Sequence, residues 1–251
     1  MSFAEILENK GKKFMNILLV NDDGYLSSNL ELLRKELENY GDVYVVAPEV
    51  SMSGKSIALT IFSSIKVRKH NDRLYSVDGT PADCVCFGLN SLGIKFDLVC
   101  SGINFGHNVT YDVMHSGTIG ACVESLMYNT PAIAFSSETN HEENAKYIKD
   151  AMDYILKNKL LSLEYFLNIN FPKSGISNGI VFSTLEYRRD NRYFEFDGEF
   201  ATPRRTVDDY NLYPKNSDVY LVENDYISIT PLIRSLFSKD LYERVKKDKN
   251  L

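Results

Sequence analysis

The chain has 251 residues, 44% apolar and 25% charged, with a formal net charge of -6, proportions of an ordinary folded domain with room for a smaller appendage. That acidic balance argues against a binder of nucleic-acid polymers, which needs surplus Lys and Arg to displace counterions, although a bound metal still suits an acidic protein to an anionic substrate. No apolar run reaches the roughly 20 residues of a membrane span, and residues 1–13 are polar and charged, without the apolar core of a signal peptide, so the expected setting is cytoplasmic and away from membranes.

In chain order, residues 1–14 read as an extension. Asn16-Ile17-Leu18-Leu19-Val20 is the run expected of a central parallel strand covered on both faces. A helix is expected from about Ser28, with Leu30, Leu33, Leu37 and Tyr40 on one face and Gly41 placed to end it. Val43 to Ala47 predicts a second buried strand, closed by Pro48, followed by short alternating stretches around Ile57, Ile65 and Leu74. Thr80, Pro81 and Asp83 mark a helix start, as cap, first-turn proline and first-turn acid. Strands at 96–100, 132–136 and 166–171 then alternate with helices at 119–128 and 141–158. This is the grammar of an α/β fold, a Rossmann-like doubly wound and mostly parallel sheet.

After Pro172 the pattern changes. Polar and aromatic residues alternate through 186–200 as in a long exposed β-hairpin, Tyr226 to Pro231 predicts a returning strand, and 236–247 a charged helix. The expected division is therefore 15–183 as catalytic core and 184–251 as hairpin, strand and helix. So aromatic a hairpin, with little local core, is expected to pack on another subunit. Cys84, Cys86, Cys100 and Cys122 lie among apolar neighbours without zinc-site spacing and read as buried reduced thiols.

The residues able to do chemistry follow the strands. Asn21-Asp22-Asp23-Gly24 comes directly after the first. It reads either as a polar turn or as a cation site, because two adjacent carboxylates at the end of a buried strand repel each other and lose hydration. Asn104, in Ser101-Gly102-Ile103-Asn104, is expected at the same edge, and an amide oxygen beside two carboxylates suits Mg²⁺, Mn²⁺ or Ca²⁺ rather than zinc. The loop Ser51 to Ser56 offers hydroxyls, backbone N–H groups and the Lys55 cation to an anion, or is simply a surface loop. Ser116-Gly117-Thr118 opens a helix, either as a cap or as an anion site.

Taken in order, these segments resemble the SurE family. The opening strand with Asn21-Asp22-Asp23-Gly24, Val45-Val46-Ala47-Pro48 with Ser53-Gly54, and Gly79-Thr80-Pro81-Ala82-Asp83-Cys84-Val85 are similar to its motifs. So are Ser101-Gly102-Ile103-Asn104 with Gly106, Asn108 and Ser116-Gly117-Thr118, and the later segments 167–172 and 226–232. The resemblance implies one divalent cation per subunit, held by Asp22, Asp23, Ser53 and Asn104, and hydrolysis of nucleoside 5′- or 3′-monophosphates and sometimes short polyphosphate. It also implies a hairpin exchanged within a homodimer, often in a homotetramer.

On that basis the cation is expected to neutralise the phosphate and lower the pKa of a water, with Asp22 or Asp23 orienting or deprotonating it. Asn108, Ser116, Gly117 and Thr118 complete the catalytic set, and Asn21, Gly54, Lys55, Asn108, Ser116 and Thr118 the substrate contacts. Three residues depart from the family pattern: His107 stands where proline is common, His115 where tyrosine is, and Lys55 where a small residue is frequent. All three are further candidates for phosphate contact or leaving-group protonation. Residues 187–219 match the family poorly. A haloacid-dehalogenase-like phosphatase needs an acid two residues beyond its nucleophilic aspartate, whereas Asp22 and Asp23 are adjacent. A catalytically silent metal- or nucleotide-binding module is the other alternative.

Overall fold

A strand carrying Ile, Leu and Val on both faces is stable where helices cover both sides, and Met15–Val20 (β1) occupies that place in mid-sheet. The computed structural model describes residues 15–139, 143–187, 191–206, 209–235 and 238–248; the expected extension at 1–14 lies outside them. Gly41–Pro48 (β2) pairs in parallel with β1, and beyond it come Leu74–Val77 (β4), parallel, and Val67–Asn71 (β3), antiparallel. On the other side of β1, Leu98–Phe105 (β5), Ala132–Ser137 (β6) and Tyr165–Asn170 (β7) continue in parallel. Ile227–Ile233 (β11) then runs antiparallel to β7, with Ile180–Phe182 (β8) parallel beside it. The order is β3-β4-β2-β1-β5-β6-β7-β11-β8, so the winding reverses at β1.

Alternation along the strands builds two apolar layers. Ile17 and Leu19 pack with Leu30, Leu33 and Leu37 of Ser28–Leu37 (α1) and with Ile148 and Ile155 of Glu143–Lys157 (α4). Leu18 and Val20 face the other way, against Cys84 and Val85 of Pro81–Ser91 (α2) and Ala121 and Cys122 of Gly117–Met127 (α3). All four cysteines are free; Cys84, Cys100 and Cys122 are buried, which pushes their thiols up and leaves them un-ionised. The fold is the expected doubly wound α/β sheet. Among the described residues no helix is long and apolar enough to cross a membrane.

Several boundaries differ from the sequence expectation. Gly41 does not end α1, whose cap is Glu38; it opens β2, where a Cβ would overlap the Met15 carbonyl. The stretches around Ile57 and Ile65 find no strand partner and remain loop. Phe96 precedes β5, which continues past Asn104. The hairpin is shifted towards the C-terminus, pairing Asn191–Phe196 (β9) with Ala201–Thr206 (β10). Residues 188–190 of its expected span lie outside the described residues, as do 141–142 and 236–237 of the two expected helices. The last helix is Lys239–Asp248, and a short one at Asp218–Glu223 (α5), capped by Ser217, was not anticipated.

Candidate active site

The carboxyl ends of β1 and β5 are neighbours in the sheet, and the turn after β1 is tightly specified. Asn21 Nδ2 donates to the Gly24 carbonyl at 2.9 Å, and Gly24 N–H returns a bond to Asn21 Oδ1 at 3.3 Å, with Gly24 at φ +103°. Both ends of the Asn21 amide are thus engaged and the side chain is buried. Its expected substrate contact gives way to a turn-forming role that fixes the two aspartates.

Asp22 is 2% exposed. Its Oδ1 accepts the Thr118 hydroxyl at 2.8 Å. Burial pushes its carboxyl up to about 6, the Thr118 hydroxyl opposes that shift, and the neighbouring Asp23 charge adds to it. Asp23 is also raised by burial, less a contribution from the Phe105 N–H, which donates to Oδ2 at 3.2 Å. The acidic pair therefore links the first turn of α3 to the end of β5.

The loop after β2 is tied to the same place. Met52 N–H donates to the Asp22 carbonyl at 2.7 Å, Ser56 N–H to the His115 carbonyl at 3.0 Å, and Ser56 Oγ to the Met114 carbonyl at 2.8 Å. Between these anchors Ser53, Gly54 and Lys55 are exposed, Gly54 at φ +75°. Ser116 caps α3 by accepting the Ile119 N–H at 3.3 Å. A Cβ on Gly117 would stand 3.0 Å from Asp22 Cβ, so this helix start rests directly on the aspartate.

A one-residue bulge places Asn104. β5 pairs Ser101 with Ala134 and then Asn104 with Ser136, and Gly102, at φ +128°, sits where a Cβ would overlap the Phe135 carbonyl. Asn104 Nδ2 donates to the Gly106 carbonyl at 2.7 Å, and among the described residues no donor meets its Oδ1. Two raised carboxyls, an amide oxygen and the nearby Ser53 hydroxyl make an all-oxygen donor set that fits a hard divalent cation. Among the described residues no three His, Cys, Asp or Glu side chains gather as a metal group, so neutral oxygens would have to complete the set.

Other expected residues fall elsewhere. Asn108 is buried in a polar network: its N–H donates to Asn170 Oδ1 at 2.8 Å, its Nδ2 to Ser136 Oγ at 2.9 Å, and its carbonyl accepts from Asn168 and Asn170. His107 Nε2 bonds the Phe171 carbonyl at 2.7 Å, and burial lowers its pKa, so the ring is a neutral core group. His115 and Lys55 are exposed. Sequence reasoning missed two supporting residues. Asp83, besides closing a capping box with Thr80, accepts the Thr60 N–H and hydroxyl, both at 2.8 Å. Asp112, in the 3₁₀ turn Thr110–Met114, pairs with Arg192 and Arg205 of the hairpin.

Comparison with known proteins agrees with this architecture. The family described as Survival protein SurE matches residues 17–192, a span that takes in every segment of the site. The chain belongs to the SurE family. It is 35% identical over 250 residues to a Clostridium botulinum (strain ATCC 19397 / Type A) protein named 5′-nucleotidase SurE, covering 93% of this chain and 98% of the relative. A 5′-nucleotidase SurE of Acinetobacter baylyi is 34% identical, covering 91% and 97%. The crystal structure of a SurE protein from Aquifex aeolicus superposes with a TM-score of 0.80 at 32% identity, over 93% of this chain and 99% of that one. The SurE match ends at Arg192, inside β9, so the rest of the hairpin lies beyond the family span.

Proposed function

We propose that this SurE chain is a 5′-nucleotidase, hydrolysing nucleoside monophosphates with one divalent cation bound by Asp22, Asp23, Asn104 and Ser53. The observation that carries the reading is the convergence of the Asp22-Asp23 pair with both the α3 start and the Asn104-Phe105 segment. The names of its relatives supply the substrate class.

When bound, the cation would neutralise phosphate charge and acidify a water at moderate pH. The chain's own groups do the rest. Thr118 holds Asp22 Oδ1, fixing the orientation of the carboxylate. Asp23 Oδ1, which meets no donor among the described residues, orients the attacking water and takes its proton. Backbone N–H groups at Gly54 and at Ser116-Gly117-Thr118 face the phosphoryl oxygens, where the helix start favours developing negative charge. Asn108 acts from behind, positioning this rim through Ser136 and Asn170.

The same reading makes the β9–β10 hairpin the subunit contact of a homodimer or tetramer in the cytoplasm. Its support is a separate two-stranded sheet with Tyr193, Phe194 and Phe196 exposed. Light scattering would give the oligomer's mass.

The deciding experiment strips the protein with EDTA and measures phosphate release from 5′- and 3′-AMP, GMP and short polyphosphate on returning Mg²⁺, Mn²⁺ or Ca²⁺. Cation-dependent release from the 5′-monophosphates is expected, and its loss in Asp23→Asn. Release by no cation would leave the silent binding module as the better reading.

A further inference from the structure

Phe105 is the last residue of β5, and its side chain is 61% exposed. It is anchored where the chemistry is: its N–H donates to Asp23 Oδ2 at 3.2 Å, and it directly follows Asn104. The backbone around it is set by Asn104 Nδ2 closing on the Gly106 carbonyl at 2.7 Å and by Gly106 N–H donating to the Ser137 carbonyl at 2.8 Å. Among the described residues no aromatic ring pairs with it, whereas Tyr111, in the segment between β5 and α3, is already paired with Tyr187, centroids 5.2 Å apart.

The two aspartates divide the site between them. Asp22 is bonded to the start of α3, and Asp23 to the end of β5. A phosphate cradled by the α3 start and the 53–56 loop lies on the Asp22 side, so the rest of a nucleotide extends across Asp23 towards Phe105. We infer that the Phe105 ring is the platform on which the nucleobase stacks, a specificity-determining residue that favours nucleotides over plain sugar phosphates. Stacking on an unpaired ring requires no hydrogen-bond readout, because every base has a π face, so this platform selects for a base without selecting which one. The inference rests on the nucleotidase reading.

The test compares AMP with ribose 5-phosphate in the parent, Phe105→Ala and Phe105→Tyr, under one cation, with adenosine binding by the metal-stripped proteins measured calorimetrically. Phe105→Ala should raise the KM for AMP by about 5- to 50-fold, leave ribose 5-phosphate unchanged, and weaken adenosine binding by a similar factor. Phe105→Tyr, which keeps the ring, should stay close to the parent. An equal loss on both substrates would mean that the residue acts only through its bond to Asp23, and no change on AMP would mean that the ring is idle; either overturns the inference. A parent inactive on AMP would instead remove the nucleotidase reading. The adenosine titration would then still decide the ring, and equal affinity in parent and Phe105→Ala would overturn its role.

Discussion

The Thr118 hydroxyl donates to Asp22 Oδ1 at 2.8 Å across 96 residues of sequence, joining the first turn of one helix to the end of the central strand. A hydrogen bond to a buried charged group contributes roughly 1.5–3 kcal/mol. Thr118→Val keeps the shape and removes the donor. Its kcat/KM on a nucleoside monophosphate should fall about 10- to 100-fold. In the metal-free protein the Asp22 carboxyl, now about 6, should titrate still higher by carbon-13 NMR, because the hydroxyl opposes the effect of burial. Thr118→Ser should recover most of both. An unmoved titration in Thr118→Val would break the proposed link between the helix and the carboxylate.

Asp22 also makes the metal-free fold pH-dependent in an unusual direction. Its carboxyl rises from 3.8 to about 6, so within that window the folded chain binds more protons than the unfolded one. The contribution of this group is most favourable below the unfolded value, is lost as pH rises through the folded value, and stays lost above it. The span corresponds to an order-of-magnitude penalty of ~3 kcal/mol at neutral pH. Asp22→Asn, which retains an oxygen for Thr118, should therefore melt about 5–10 °C higher than the parent in EDTA at neutral pH, with the gap closing near pH 4. Adding Mn²⁺ should raise the parent's melting temperature and leave the variant where it was. A variant melting below the parent in EDTA at neutral pH would refute the burial argument.

How much of this the sequence disclosed depends on how local the signal is. The buried run of β1, the Asn21–Gly24 turn and the Thr80-Pro81-Asp83 helix start are encoded within a few neighbouring residues, and all three form where expected. The residues around Ile57 alternate as a strand does, yet no sheet edge is free for them there. They form a loop pinned by Asp83, whose acceptors hold Thr60 from 23 residues away. Asn108 and His107 read as site residues by position alone, because burial behind β7 and the Asn168-Asn170 network is a tertiary fact without a local pattern. Asp112 was silent for the same reason, its partners lying 80 and 93 residues further on.

That Asp112 contact gives a prediction about the hairpin. Its carboxylate takes Arg192 from β9 and Arg205 from β10, the latter at 2.9 Å, and so ties both strands to the turn preceding α3. The arginines are partly exposed, so each pair is worth only ~0–1 kcal/mol and global stability should scarcely change. The local effect is larger, because few other contacts hold a two-stranded sheet of exposed side chains. Asp112→Asn should raise hydrogen exchange in 191–206 several-fold in the isolated subunit while shifting the melting temperature by about 2 °C or less. Unchanged exchange would mean that the hairpin is held by something other than this clamp.

Gly120 tests whether the loop bearing Ser53 and Gly54 owes its place to α3. It lies one turn into that helix, where alanine would ordinarily be the better helix former by roughly 1 kcal/mol. Here a Cβ would overlap the Ser56 carbonyl oxygen and crowd Ile57 Cα at 3.0 Å, both backbone atoms with no rotamer to yield. Gly120→Ala must therefore displace the loop, stretching the Ser56–His115 bond now at 3.0 Å. Ser53 and the Gly54 N–H would move off the phosphate, although Gly120 itself touches no substrate. A misplacement of about 1 Å at a remote support can cost ~100-fold in rate, so kcat/KM should drop by one to two orders of magnitude. The melting temperature should fall by several degrees despite the better helix propensity. An active, undiminished Gly120→Ala enzyme would show that the 53–56 loop is free to adjust and takes no fixed part in holding phosphate or cation.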